Sequence, residues 1–175
     1  MRGRSSRGVW IGVGLLAGVV LVILQISVVP WLSIKGVYPN VLVAVTVAVG
    51  LHFGPWEGVG LGAVLGALVD VLLGHPAGFL MVPLGLAGYA SGLAHRRVLE
   101  SRVLVPFGMG VVAAWLDLLA QFAVATMWGY GGRWPVAQMR WAFFYALFTG
   151  ALAWGFFLLL LPVHRLQRQE RLRVM

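Results

Sequence analysis

The sequence predicts an all-α, polytopic membrane protein of six transmembrane helices with both termini in the cytoplasm. Three observations carry that expectation. Of 175 residues, 61% are hydrophobic and 10% are charged, against about 25% charged in a soluble domain; the mean hydropathy is +0.92. The apolar residues fall into six runs parted by short gaps. The basic residues gather in alternate gaps. This composition excludes a soluble domain and a disordered chain. The absence of cysteine excludes a disulfide scaffold, a thiolate metal site and a cysteine nucleophile.

The first run, Val9–Val29, follows Arg2, Arg4 and Arg7. It is long enough to cross about 30 Å of hydrocarbon, and no Ala-x-Ala site follows it, so it reads as a span and not a signal peptide. Asn40–Phe53, Gly58–Leu73 and Phe79–Ala94 are shorter, at about 14 to 16 residues, and need flanking residues or bundle packing to cross. Gly54-Pro55-Trp56-Glu57 and Gly74-His75-Pro76-Ala77-Gly78 separate these three as turns. The middle of the chain therefore reads as two tight hairpins. Val103–Met127 and Trp141–Pro162 are again long enough to span. The basic tail, 163–175, extends the last helix along the inner surface.

Orientation follows from charge. With the N-terminus inside, the inner segments hold Arg2, Arg4, Arg7, Arg96, Arg97, Arg102, Arg165, Arg168, Arg171 and Arg173; the outer ones hold Lys35, Arg133 and Arg140. Ten against three satisfies the positive-inside rule. A five-span chain would lose that asymmetry. Trp31, Tyr38, Trp128, Tyr130, Trp134 and Trp141 then lie at the outer interface, and Trp10 and Trp56 at the inner one, where amphipathic rings prefer to sit.

Little in the chain suggests catalysis. Glu57, Glu100 and Glu170 fall in turns or the tail. His52, His75, His95 and His164 stand apart without metal-ligand spacing, and there is no phosphate-binding P-loop. Ser91 and His95 share one helix turn, which cannot aim a base from another helix at a serine hydroxyl. No metal or other cofactor is expected.

Two acids lie inside spans, Asp70 and Asp117. An ionisable group at that depth costs several kcal/mol and should face the bundle interior with a partner. Counting about 1.5 Å per residue puts Gln25, Asn40, Asp70, Asp117 and Gln121 all in the outer half of the bundle. Two readings remain open for this five-residue cluster: a structural hydrogen-bond network, with Arg140 or His75 as further partners, or a site for a small molecule or partner. Glycines supply close-packing surfaces. Gly58, Gly62 and Gly66 form one stripe with Asp70, and Gly88 and Gly92 repeat the spacing; both are expected to pack within the protomer. Gly14 and Gly18 on the first helix are left as the surface for a partner helix.

The string Pro39-Asn40, Gly54-Pro55-Trp56-Glu57-Gly58, Gly62, Gly66, Asp70, Gly74, Gly78, Tyr89 and Gly92 resembles the MreD family of bacterial rod shape-determining membrane proteins. It departs at Ala63, where the family often carries an aromatic. The resemblance implies a fold like the substrate-binding subunits of vitamin (ECF-type) transporters, and no enzyme activity. It implies residence in the cell inner membrane and lateral binding to MreC, a single-span partner. It also implies a place in the elongasome, the complex of transpeptidase, polymerase and actin-like filament that maintains rod shape and organises peptidoglycan synthesis. Membrane lipids are expected as neighbours and nucleic acid is not. The alternative reading is a solute-binding subunit of a vitamin-type transporter, with its pocket in the outer half.

Overall fold

The computed structural model describes residues 16–32, 38–95, 101, 103–129 and 141–173, with the backbone alone from 161 onward. These residues form six α-helices and one 3-10 turn, with no strand among them. The helices are α1 Leu16–Ser27, α2 Val41–Phe53, α3 Pro55–Leu73, α4 Met81–Leu93, α5 Leu104–Met127 and α6 Ala142–Arg173. The 3-10 turn, Val29–Leu32, follows α1. Three helical stretches are long and apolar enough to cross a membrane: Pro55–Leu73, Leu104–Met127 and Ala142–Leu160. The described part of α1, with α2 and α4, is apolar but shorter.

The α2–α3 turn is tighter than its composition suggests. Instead of four residues, Gly54 alone parts the two helices. Its φ of 115° with ψ of 179° is a conformation glycine takes easily. Pro55 then opens α3, at a position where a missing N–H costs nothing. The helix thereby gains three residues over the expected Gly58 start, which is why it reaches spanning length. At the other end of the chain, α6 runs without a break through Pro162 to Arg173, so the basic tail is a continuation of the last helix.

Helix α2 is the axis of the fold. Nine of its thirteen residues are buried, and it packs against α3, α4, α5 and α6. A helix apolar all round belongs inside a bundle, and α2 supplies Leu42, Val43, Ala44, Val47, Ala48 and Leu51 to the main core. Glycine makes the close approaches. At Gly58 an added Cβ would meet Gly88 O, at Gly62 the carbonyl of Leu84, at Gly66 that of Leu80, and at Gly92 the Pro55 backbone. The α3 stripe is thus pressed onto α4 backbone, and Gly50 brings α2 to the same junction against Ser91 and Gly88. A second glycine contact, unsuspected from the sequence, joins α5 to α6, where Gly110 faces Gly150.

This geometry predicts a contrast within one helix. Gly62→Leu drives a side chain into the Leu84 carbonyl and should destabilise the bundle by about 2–3 kcal/mol or more. Gly60 has nothing within 4 Å of an added Cβ, so Gly60→Leu should leave stability unchanged or slightly raised through helix propensity. Thermal unfolding of the two purified variants in detergent checks this, and equal melting temperatures would contradict the α3–α4 packing.

Candidate functional site

The polar residues of the interior gather where a short helix ends inside the protein. Thirteen residues make α2 about 20 Å long, less than a hydrocarbon core of about 30 Å. The N–H groups that begin a helix have no partner within it. Away from water, each needs an acceptor from elsewhere. The structure provides one for every such amide. Asn40 N donates to Thr149 Oγ1 at 3.2 Å, and Val41 N to Gln25 Oε1 at 2.8 Å. Leu42 N and Val43 N both donate to Asn40 Oδ1, at 3.1 and 3.2 Å. Asn40 is a side-chain N-cap of the preferred type. Gln25 from α1 and Thr149 from α6 extend the cap across three helices.

Asp117 stands behind this cap. It is fully buried on α5, and its Oδ2 accepts from Tyr145 Oη at 2.7 Å, Gln121 Nε2 at 2.8 Å and Asn40 Nδ2 at 3.4 Å. Three donors on one oxygen join α2, α5 and α6. The position beside the first turn of α2 also suits a carboxylate, because a helix N-terminus carries positive partial charge. The other oxygen, Oδ1, is buried and has no hydrogen bond.

The network therefore contains Gln25, Asn40, Asp117 and Gln121, but Asp70 lies outside it. Asp70 sits at the end of α3 and accepts from Leu80 N at 2.9 and 3.1 Å and Met81 N at 3.2 Å. It caps α4, whose own N-cap residue, Leu80, has no side-chain acceptor. His75 Nδ1 comes to 3.8 Å of Asp70 Oδ1, beyond hydrogen-bond length, and its ring packs on Phe79. The expected convergence of five residues is two capping systems, one at the start of each thirteen-residue helix. Arg140, considered as a further partner, lies outside the described residues.

Tyr145 and Thr149 are the members that sequence reasoning missed. They stand four residues apart in an otherwise apolar span and so share one face, as Asp117 and Gln121 do; that pairing was the available signal. Other polar residues are engaged locally. Ser91 Oγ donates to Gly88 O at 2.9 Å, while His95 Nδ1 lies 2.6 Å from Leu51 O, across from the end of α2. His52 Nδ1 lies 2.9 Å from Ala48 O. Among the described residues no three His, Asp or Glu side chains form a metal-holding group.

The glycines of α1 need a correction. Gly18 is buried, and a Cβ there would meet Leu65 and Leu68 of α3 at 3.3 and 3.8 Å. It faces α3, so this part of α1 lies against those leucines and not toward a partner. Gly14 lies outside the described residues. The open side of α1 carries Leu16, Val20, Ile23 and Leu24 instead.

A cleft of about 200 Å³ opens at the network end, bounded by Gln25, Tyr38, Leu42, His75, Leu80 and Gln121 among others. The comparisons with known proteins bear on what this arrangement serves. A family model described as rod shape-determining protein MreD matches residues 7–164. The chain belongs to the MreD family. No curated protein and no solved structure matches it. Family membership and the apolar helices together mark a membrane protein of the rod-shape class.

In this MreD-family chain the network predicts a difference between removing the charge and removing the acceptor. Asp117→Leu strands the Tyr145 hydroxyl and the Gln121 amide, each at about 1–3 kcal/mol, and should lower the melting temperature strongly or prevent folding. Asp117→Asn keeps an acceptor oxygen for the same donors and should lose much less. A thermal melt in detergent distinguishes them; equal losses would mean that the carboxylate's charge, not its hydrogen bonds, holds the helices.

Proposed function

We propose that the chain is a non-catalytic subunit of the machinery that elongates the bacterial cell wall. It crosses the inner membrane six times with both termini in the cytoplasm, and it binds an MreC-like single-span protein laterally. The transpeptidase and polymerase of the same complex are further partners, through which the subunit helps to organise peptidoglycan synthesis and maintain rod shape. Family membership along residues 7–164 carries this reading. The interior supports it: Asn40, Gln25, Thr149 and Asp117 are occupied in fastening helices to one another. That is the chemistry of a rigid scaffold.

The transporter-subunit alternative is less well supported. It calls for polar groups that face a solute, whereas most of these face α2. A cleft of about 200 Å³ is also below the roughly 300–1,000 Å³ usual for larger organic ligands.

Topology follows from the same frame. The hydrogen bonds bring the C-terminal ends of α1 and α3 and the N-terminal ends of α2 and α4 to one end of the bundle, and the ten-to-three charge bias assigns that end to the outside. A partner with one membrane span meets the bundle through lipid-facing side chains. The Leu16, Val20, Ile23 and Leu24 face of α1, each at least 44% exposed, is the surface we assign to it.

Site-specific photo-crosslinking in cells tests both parts. A crosslinker at Val20 should capture an MreC-like protein, and one at Val71, on the open side of α3, should not. Capture only at Val71 would move the interface, and capture of transporter ATPase subunits would favour the alternative. For topology, a cysteine at Gly131 should react with an impermeant thiol reagent in intact cells while one at Ser101 should not; the reverse would end the six-span arrangement.

A further inference from the structure

We infer that the cleft at the network end binds a small amphipathic molecule that carries an N–H or O–H donor and no negative charge. The inference is independent of the shape-determining reading and does not make the chain a transporter.

The decisive group is Gln121. It is 7% exposed and lines the cleft. Its Nε2 donates to Asp117 Oδ2 at 2.8 Å. The opposite amide orientation would set an oxygen against a carboxylate, so chemistry fixes which end points where. The amide oxygen, Oε1, is left with no hydrogen-bond partner among the described residues, on a side chain that lines the cleft. The bond at its nitrogen restrains that side chain.

The walls say what else the occupant must be. Leu42, Val69, Phe79, Leu80 and Leu84 form the apolar part of the walls, which they share with Gln25, Tyr38, Asn40, His75 and Tyr145. At about 30 Å³ per water, the cleft would take about six or seven waters, yet ordered waters need two to four polar partners each. An apolar body of about ten non-hydrogen atoms fits those walls better than a water cluster. Its donor would meet Gln121 Oε1. Among the described residues no lysine or arginine lines the cleft. Directly behind its lining stand two carboxyl groups, Asp117 behind Gln121 and Tyr145 and Asp70 beside His75, which disfavour an anion. Ile26 and Leu73, 36% and 47% exposed, form an apolar lip, so entry from the membrane interface is open to such a molecule.

5-Fluoroindole is a suitable probe, with an apolar body of the right size and a single N–H donor. Fluorine NMR of the full chain in nanodiscs, with empty nanodiscs as blank, reads its binding. We expect saturable binding above the blank, and about tenfold weaker binding of 5-fluorobenzofuran, which has the same shape without the donor. Val69→Trp should fill the cleft and abolish binding, and Gln121→Met should make the two probes equivalent. If either variant fails to fold, the comparison of the two probes on the unaltered protein still decides. Binding no greater than to empty nanodiscs, equal binding of both probes, or retention by a folded Val69→Trp variant would overturn the inference.

Discussion

A helix of thirteen residues at the centre of the bundle begins with four amides that have no partner within the helix. That constraint organises the end of the bundle where α2 begins. Helix α2 begins inside the bundle, and the four amides from Asn40 to Val43 each find a side-chain oxygen, from Asn40 itself, Gln25 and Thr149. Asp117 then ties Asn40 to Tyr145 and Gln121. The same solution recurs at α4, another thirteen-residue helix, whose first amides are taken up by Asp70 from the end of α3. Polar residues in these spans are thus a consequence of helix length. Each of these thirteen-residue helices has side-chain acceptors at its start: Asn40, Gln25 and Thr149 for α2, and Asp70 of α3 for α4.

In the opposite half close contact is the main device, beside the hydrogen bond between His95 Nδ1 and Leu51 O. Gly50, Gly58, Gly88 and Gly92 bring the backbones of α2, α3 and α4 together, in a solvent where tight packing drives association because lipid is as apolar as the side chains. The two devices are complementary. Glycine sets how closely the helices approach, and the capping bonds set their register along the axis. Together they hold many of the interior polar groups in hydrogen bonds, while Thr46 Oγ1, His75 Nδ1, Asp117 Oδ1 and Trp154 Nε1 are buried without one among the described residues. Gln121 Oε1 likewise has none, which is why the small cleft beside it takes on chemical meaning.

Much of this was legible in the sequence, for identifiable reasons. Hydropathy and charge bias outline the helices because lipid tolerates few alternatives, and the i, i+4 glycines of α3 mark its packed face. Buried acids announce themselves by cost, so Asp117 and Gln121 were visible. Partners were harder. Depth along the axis does not say which way a side chain points, so Asp70 looked like part of the Asp117 cluster although it serves a different helix. Tyr145 drew no attention because a tyrosine costs far less to bury than a carboxylate and so does not announce a partner. Gly18 looked available for a partner because small residues suit any close contact, and only the position of Leu65 and Leu68 reveals which contact it makes. The single-residue turn at Gly54 was hidden by the turn-like composition of the residues after it, which are in fact the first turn of α3.

The central claim is that the side-chain oxygens of Asn40, Gln25 and Thr149 replace water at the half-buried start of α2. Amide hydrogen exchange of the protein in nanodiscs measures that directly. First-turn amides ordinarily exchange quickly, since nothing in their own helix protects them. Here the Val41, Leu42 and Val43 amides should exchange as slowly as those of Val47 to Leu51 in the middle of the helix, and Asn40→Ala should release Leu42 and Val43. Fast exchange at these three amides in the unaltered protein, while the middle of α2 stays protected, would contradict the account.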